Sequence, residues 1–200
     1  MADAGRPGRP NQKSRTRKDL LRAASRLMQA GRSPTLEEVA EEAMVSRATA
    51  YRYFPGVEAL LTEAALDVAM PDGETLFADG PAEPLDRLLR ADQAVAEMVR
   101  GNEPALRAML IHSLQQGLAG AADGLPVRQN RRTPLIEAAL APARATLSPW
   151  LHDRLVKALA LVIGTEARLA FKDVLQLADD EAGAIRRWMI RALFEAARRA

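Results

Sequence analysis

The sequence predicts an all-α fold, with a three-helix helix-turn-helix unit at the N-terminus and an antiparallel helical bundle after it. Three observations carry this reading. Apolar residues recur at helical spacing along almost the whole chain, and no segment alternates like a strand. The stretch from Thr35 to Phe54 reads as helix, short turn, helix. The last helix holds an unbroken apolar stripe: Ile185, Trp188, Met189, Ala192, Leu193 and Ala196.

Elements follow in order. Met1 to Asn11 contains GRPGRP and reads as disordered, so residues 1–12 form an expected basic arm. Leu20, Leu21, Ala24, Leu27 and Met28 then line one face of a helix from Arg15 to Ala30, which Gly31 is placed to stop. Thr35 is a good N-cap, and Glu38 three residues on completes a capping box. Leu36, Val39, Ala40 and Ala43 give that short helix its apolar face. Ser46 caps the next helix, Arg47 to about Phe54, whose apolar anchors are Val45, Ala50 and Phe54. A fourth helix, Val57 to Ala69, closes a domain expected at residues 13–69. Residues 70–84 hold three Pro after Ala69 and read as a linker or hinge. Residues 85–200 form the expected second domain, with helices near Leu85–Arg100, Glu103–Gly117, Arg128–Arg144, Pro149–Leu175 and Asp180–Arg199. Leu159 to Ile163 is apolar on every side, which predicts burial all round.

Composition narrows the function. Hydrophobic residues make up 48% of the 200 residues and aromatics only 4%, so the core must be mostly aliphatic. With no Cys, disulfides, thiolate nucleophiles and Cys-based zinc sites are excluded. His112 and His152 are the only histidines, and no glycine-rich phosphate loop occurs. No catalytic, metal or cofactor constellation is therefore expected, and no enzyme. The N-terminus lacks the apolar core of a secretory signal, and no apolar run could span a membrane. A cytoplasmic protein with no membrane partner is the expectation.

Charge is distributed unevenly. The first 26 residues carry eight basic and two acidic side chains, giving +6 against −4 for the rest. Such an arm suits a polyanion, although a solvated tail would look the same. The helix after Ser46 sharpens the first reading. In a helix-turn-helix the second helix enters the DNA major groove while the first crosses the backbone. Arg47 can bond guanine O6 and N7 with two donors, and Ala48 and the Thr49 methyl can touch a thymine methyl. Thr49, Tyr51 and Tyr53 offer hydroxyls to phosphates, and Thr35 begins a helix whose N–H groups attract one. Arg52, and Lys13, Arg15 and Arg17 in the arm, complete the expected DNA-binding set. Each also has a plainer reading: Thr35 and Ser46 as caps, Tyr51 and Tyr53 as half-buried core, Arg47 and Arg52 as surface charges.

The run TLEEVA, then VSRATAYRYFP, then EALL strongly resembles the DNA-binding domain of TetR-family repressors over roughly Arg15 to Leu66. The resemblance implies that Arg47, Ala48 and Tyr51 face bases, and that Thr35, Ser46, Thr49 and Tyr53 face phosphates. Three positions depart from the family pattern. Ala50 stands where Leu is usual, Tyr53 where His is usual, and Gly56-Val57 where Ser-Lys or Asn-Lys is common. Val57 thus removes one expected phosphate contact.

The second half resembles the family more loosely. There the last two long helices pair with those of a second subunit in a four-helix bundle. The resemblance implies a homodimer on an inverted-repeat operator, released by a small-molecule effector; a constitutive architectural DNA binder is the alternative. The dimer set is Gly164, Ile185, Trp188, Met189, Ala192 and Leu193, with Gly164 fitting a close helix crossing. Candidate effector contacts are Met98, Met109, His112 and Gln116. Glu166, Arg168, Lys172 and Asp173 read rather as interface or surface charges. The effector itself is not legible.

Overall fold

A computed structural model describes residues 9–118 and 128–200. Among these the chain is helical, with no strand. The described residues divide into two compact units: 9–69 with 104–118 and 128–129, and 70–103 with 130–200. Among the described residues, no helix is long and apolar enough to cross a membrane.

The first unit is built on α1 (Arg9–Gln29), α2 (Leu36–Glu42), α3 (Arg47–Tyr53) and α4 (Val57–Ala69). The helix begins at Arg9, so Arg9 to Gln12, expected in a disordered arm, lie in α1; residues 1–8 fall outside the described residues. Leu20, Leu21, Ala24 and Leu27 of α1 bury against Leu36, Val39 and Ala40 of α2, Ala50 of α3, and Leu60 and Ala64 of α4. Two short helices could not bury this much alone; α1 and α4 supply the other walls. The C-terminus of α1 closes on Gly31 at φ +75°, where Gly31 N–H bonds the Met28 carbonyl and Arg32 N–H the Leu27 carbonyl. That left-handed turn suits glycine. The turn between α2 and α3 has the same two-bond pattern, with Met44 at φ 55° in glycine's place and 92% exposed. The unit also takes in most of α7 (Glu103–Leu118), on which Ile111, Leu114 and Leu118 are exposed.

The second unit contains α5 (Gly73–Phe77), α6 (Pro84–Gly101), α8 (Arg132–Leu140), α9 (Pro149–Val162), α10 (Thr165–Leu169) and α11 (Asp179–Arg199). The segment read as a linker is partly ordered helix. Asp72 caps α5 through Thr75 N–H, and buried Phe77 holds α5 against α8. Four longer helices make the core: α6 packs on α8 and α11, and α9 packs on the same two. Leu88, Ile136, Leu140, Leu159, Ile163 and Ile190 are fully buried there.

One expected helix, Pro149–Leu175, is interrupted. Ile163 turns extended, and Gly164 sits at φ +157°, ψ −174°, a conformation almost confined to glycine. The Arg132 guanidinium occupies the space a side chain would fill, donating to the Ala160 carbonyl (2.8 Å) and the Glu166 carboxylate (2.6 Å). Gly164 therefore breaks the helix rather than lying within a helix crossing. Past α10 the chain runs on as a wider π turn, Ala170–Val174. The expectation that Leu159 to Ile163 is buried all round also fails, because Leu161 is 78% exposed. Its neighbours face inward and Leu161 sits on the outer side of α9. Arg168, read as an interface or surface charge, is 6% exposed and bonds Asp179 at 2.9 Å. A pair with both members buried, Arg186–Asp92 at 3.0 Å, ties α11 to α6.

Candidate nucleic-acid interface

The local sequence sets the ends of α2 and α3 as expected. Thr35 N–H donates to Glu38 Oε2 at 2.7 Å, and Glu38 N–H donates to Thr35 Oγ1 at 3.2 Å, a complete capping box. The Thr35 hydroxyl also donates to Glu38, so both Thr35 donors are engaged within the cap. Ser46 Oγ accepts from Thr49 N–H at 3.1 Å and shares a 2.8 Å hydroxyl contact with Thr49. Each cap satisfies an N–H group that the first helical turn leaves unpaired.

Ala50, Tyr53 and Phe54 turn inward from α3 and join the core. Ser46, Arg47, Ala48, Tyr51 and Arg52 are exposed, and Thr49 is half-buried. The helix thus presents Arg47 and Tyr51, four residues apart, on one open face. The expectation that Tyr53 faces phosphates is corrected: at 4% exposure it is core. Its position three residues after Ala50 and next to Phe54 places it on the inward side.

Arg17 is corrected as well. It lies 2% exposed rather than free in a basic arm. Its guanidinium donates to Glu63 Oε1 of α4 at 2.5 Å and to the Tyr53 carbonyl at 3.2 Å, and stacks over the Phe54 ring at 4.3 Å. One side chain thereby joins α1, the end of α3 and α4. Arg15 is exposed, and the Lys13 side chain lies outside the described residues.

The sequence reading missed Glu37. This α2 residue accepts from Arg47 Nη2 at 2.6 Å and from the Tyr51 hydroxyl at 3.0 Å, both through Oε1. The Arg47 hydrogen bond, followed by the helix backbone and Tyr51, holds the Glu37 carboxyl below the ordinary carboxylate range. The same contact pushes the Tyr51 phenol up. The signal available in sequence was the position of Glu37 on the short helix before Ser46, which periodicity alone could not orient toward α3.

The other expected site residues are spread through the fold. Met98 lies on α6 in the second unit, whereas Met109 and His112 lie on α7 in the first. Met109 is buried, and His112 Nε2 is buried with no hydrogen-bond partner among the described residues. The Gln116 side chain lies outside the described residues. Two cavities in the second unit have other linings. One, of about 810 Å³, lies beside Asp92 and Arg186; the other, of about 480 Å³, lies beside Arg144 and His152. On α11, Ile185, Met189 and Leu193 are half-buried, Ala192 is exposed and Trp188 is 68% exposed. The adjoining face, with Ala182, Arg186, Ile190 and Phe194, is buried.

A capped helix-turn-helix on a buried three-walled core, with an arginine and a tyrosine held on the open face of its second helix, defines a DNA-binding protein. Residues 20–64 match the family model for bacterial regulatory proteins of the tetR family, so the first unit carries a DNA-binding domain of that type. No curated protein and no solved structure matches the chain.

Proposed function

We propose that the protein is a dimeric, sequence-specific repressor that binds an inverted-repeat operator and leaves it when a small molecule binds. In this reading residues 13–69 contact DNA, residues 70–84 connect, and residues 85–200 sense and dimerise. The observation that carries DNA reading is the exposed face of α3: in this reading Arg47, Ala48 and Tyr51 meet base edges, and Ser46, Thr49 and Arg52 meet the backbone. Thr35 joins them at the start of α2, and Arg15 and Lys13 extend the contact from α1.

Dimerisation is supported by the two-faced character of α11. One face is buried in its own unit, and the face beside it leaves Trp188 exposed with Ile185, Met189 and Leu193 half-buried around it. A single chain gains nothing from exposing Trp188, whereas a second copy would bury it. A two-fold protein then requires a two-fold site. Effector binding is supported by the Nε2 of His112, buried near Met109 and without a hydrogen-bond partner among the described residues, since a buried polar atom normally finds a hydrogen bond. For release, the effector must bind the DNA-free state more tightly than the DNA-bound one.

Selection of bound sites from genomic DNA, with purified protein at moderate salt, tests the reading. A single inverted-repeat motif supports it. Binding without a motif, lost as salt rises, identifies a constitutive architectural binder instead.

A further inference from the structure

Glu37 lies on the DNA-facing side of α2–α3, yet it carries a negative charge where phosphates would approach. Its two bonds explain what it does there. A carboxylate can only accept, so both Arg47 and Tyr51 donate to it. Arg47 gives up one of five N–H groups and keeps the rest for another acceptor. Tyr51 has a single O–H proton, and the 3.0 Å bond to Glu37 Oε1 uses it.

We infer that Glu37 fixes the base preference of α3, by making the Tyr51 hydroxyl an acceptor that selects adenine or cytosine while Arg47 remains a donor that selects guanine. The inference rests on the DNA-binding reading of α3. The reasoning is hydrogen-bond accounting. With its proton engaged, the phenolic oxygen offers only lone pairs. Phosphate oxygens, guanine O6 and N7, thymine O4 and adenine N7 are all acceptors and cannot bond to it. In the major groove only adenine N6 and cytosine N4 present a donor. Arg47 keeps several donors, which suit guanine O6 and N7.

The ion pair has a second effect. At 2.6 Å from Glu37, the Arg47 charge is largely matched, so it adds little attraction for the phosphate backbone. Arg47 is thereby restrained from binding any sequence indiscriminately. The spacing supports this division of labour. Arg47 and Tyr51 are one helical turn apart, 71% and 49% exposed, and tethered to the same oxygen from the neighbouring helix. Glu37 is a positioning residue that acts through both.

The test is site selection with the full chain, comparing wild type, Tyr51→Phe, Glu37→Ala and Glu37→Gln, with helix content checked by circular dichroism. Wild type is expected to show one motif position restricted to adenine or cytosine, next to a guanine position. Tyr51→Phe should lose about tenfold discrimination at the first position alone. Glu37→Ala should admit guanine or thymine there, because the hydroxyl can donate again. Both Glu37 variants should bind non-specific DNA with a salt slope steeper by about one phosphate contact, from the released Arg47. A motif that Tyr51→Phe leaves unchanged, or Glu37 variants with the wild-type base preference and salt slope, would overturn the inference while leaving DNA reading intact. A wild-type protein that selects no motif would instead remove the DNA-reading premise.

Discussion

A guanidinium in a basic N-terminal stretch can meet a phosphate or a buried carboxylate, and its depth decides which. Arg17 meets Glu63. Removing one member of a buried pair strands the other, so Arg17→Met should cost about 3–5 kcal/mol of stability. Adding Glu63→Leu should restore much of that, because a well-packed apolar pair avoids both desolvation penalties. Urea denaturation of the single and double variants measures it, and equal loss in both would mean that the pair is not the unit of stability. Arg47 is the contrasting case, 71% exposed and paired with Glu37 at the surface. Arg47→Ala should weaken operator binding by about 1–3 kcal/mol and relax one position per half-site. Titration against operators mutated one base at a time separates this from a phosphate contact, which would weaken every sequence alike.

At the scale of the element, α2 and α3 are too short to persist alone, and their caps do much to define them. Thr35→Ala removes the box from α2 and should cost about 1 kcal/mol, read as a shift in the thermal midpoint. The same box makes stability depend on pH. The Thr35 backbone N–H, then its hydroxyl, hold the Glu38 carboxyl below its ordinary value of 4.5. That contribution is fully present above the ordinary value and is lost as pH falls through the lowered folded value. Glu37, Asp72 and Asp179 shift in the same direction, so an acid limb of destabilisation is expected below about pH 4.5. Asp92 runs the other way, because burial raises its pKa against the pull of Arg186. Melting profiles from pH 7 to pH 3 should show a smaller acid loss in Glu38→Gln than in wild type; identical profiles would remove Glu38 from the account.

For the whole molecule, the proposed dimer rests on the α11 face that carries exposed Trp188. Trp188→Glu with Leu193→Glu places one charge at an exposed position and one at a half-buried position of this face, and leaves buried Ile190 and Phe194 in place. The expected product is a folded monomer that no longer holds an inverted repeat, measured by sedimentation and by operator titration. A folded dimer that still binds would move the interface elsewhere.

Helical spacing and cap chemistry are local properties, so the N-terminal elements, the capping box, the Ser46 cap and the two faces of α11 were legible in the residues. So was the exposed polar face of α3, because it stands out against few apolar anchors. Two misplacements came from weighing residue type above phase. Tyr53 shares its side of α3 with Ala50, and Arg17 lies one turn before Leu20 and Leu21, so periodicity already pointed both inward. Tertiary structure alone decided the rest. Glu37 meets Arg47 and Tyr51 only because the α2–α3 turn brings two helices together, across ten and fourteen residues of chain. The break at Gly164 depends on Arg132, which arrives from another helix. A sequence fixes what lies within a few residues through backbone geometry, whereas contacts between helices depend on how their faces pack, and that is set by the whole core at once.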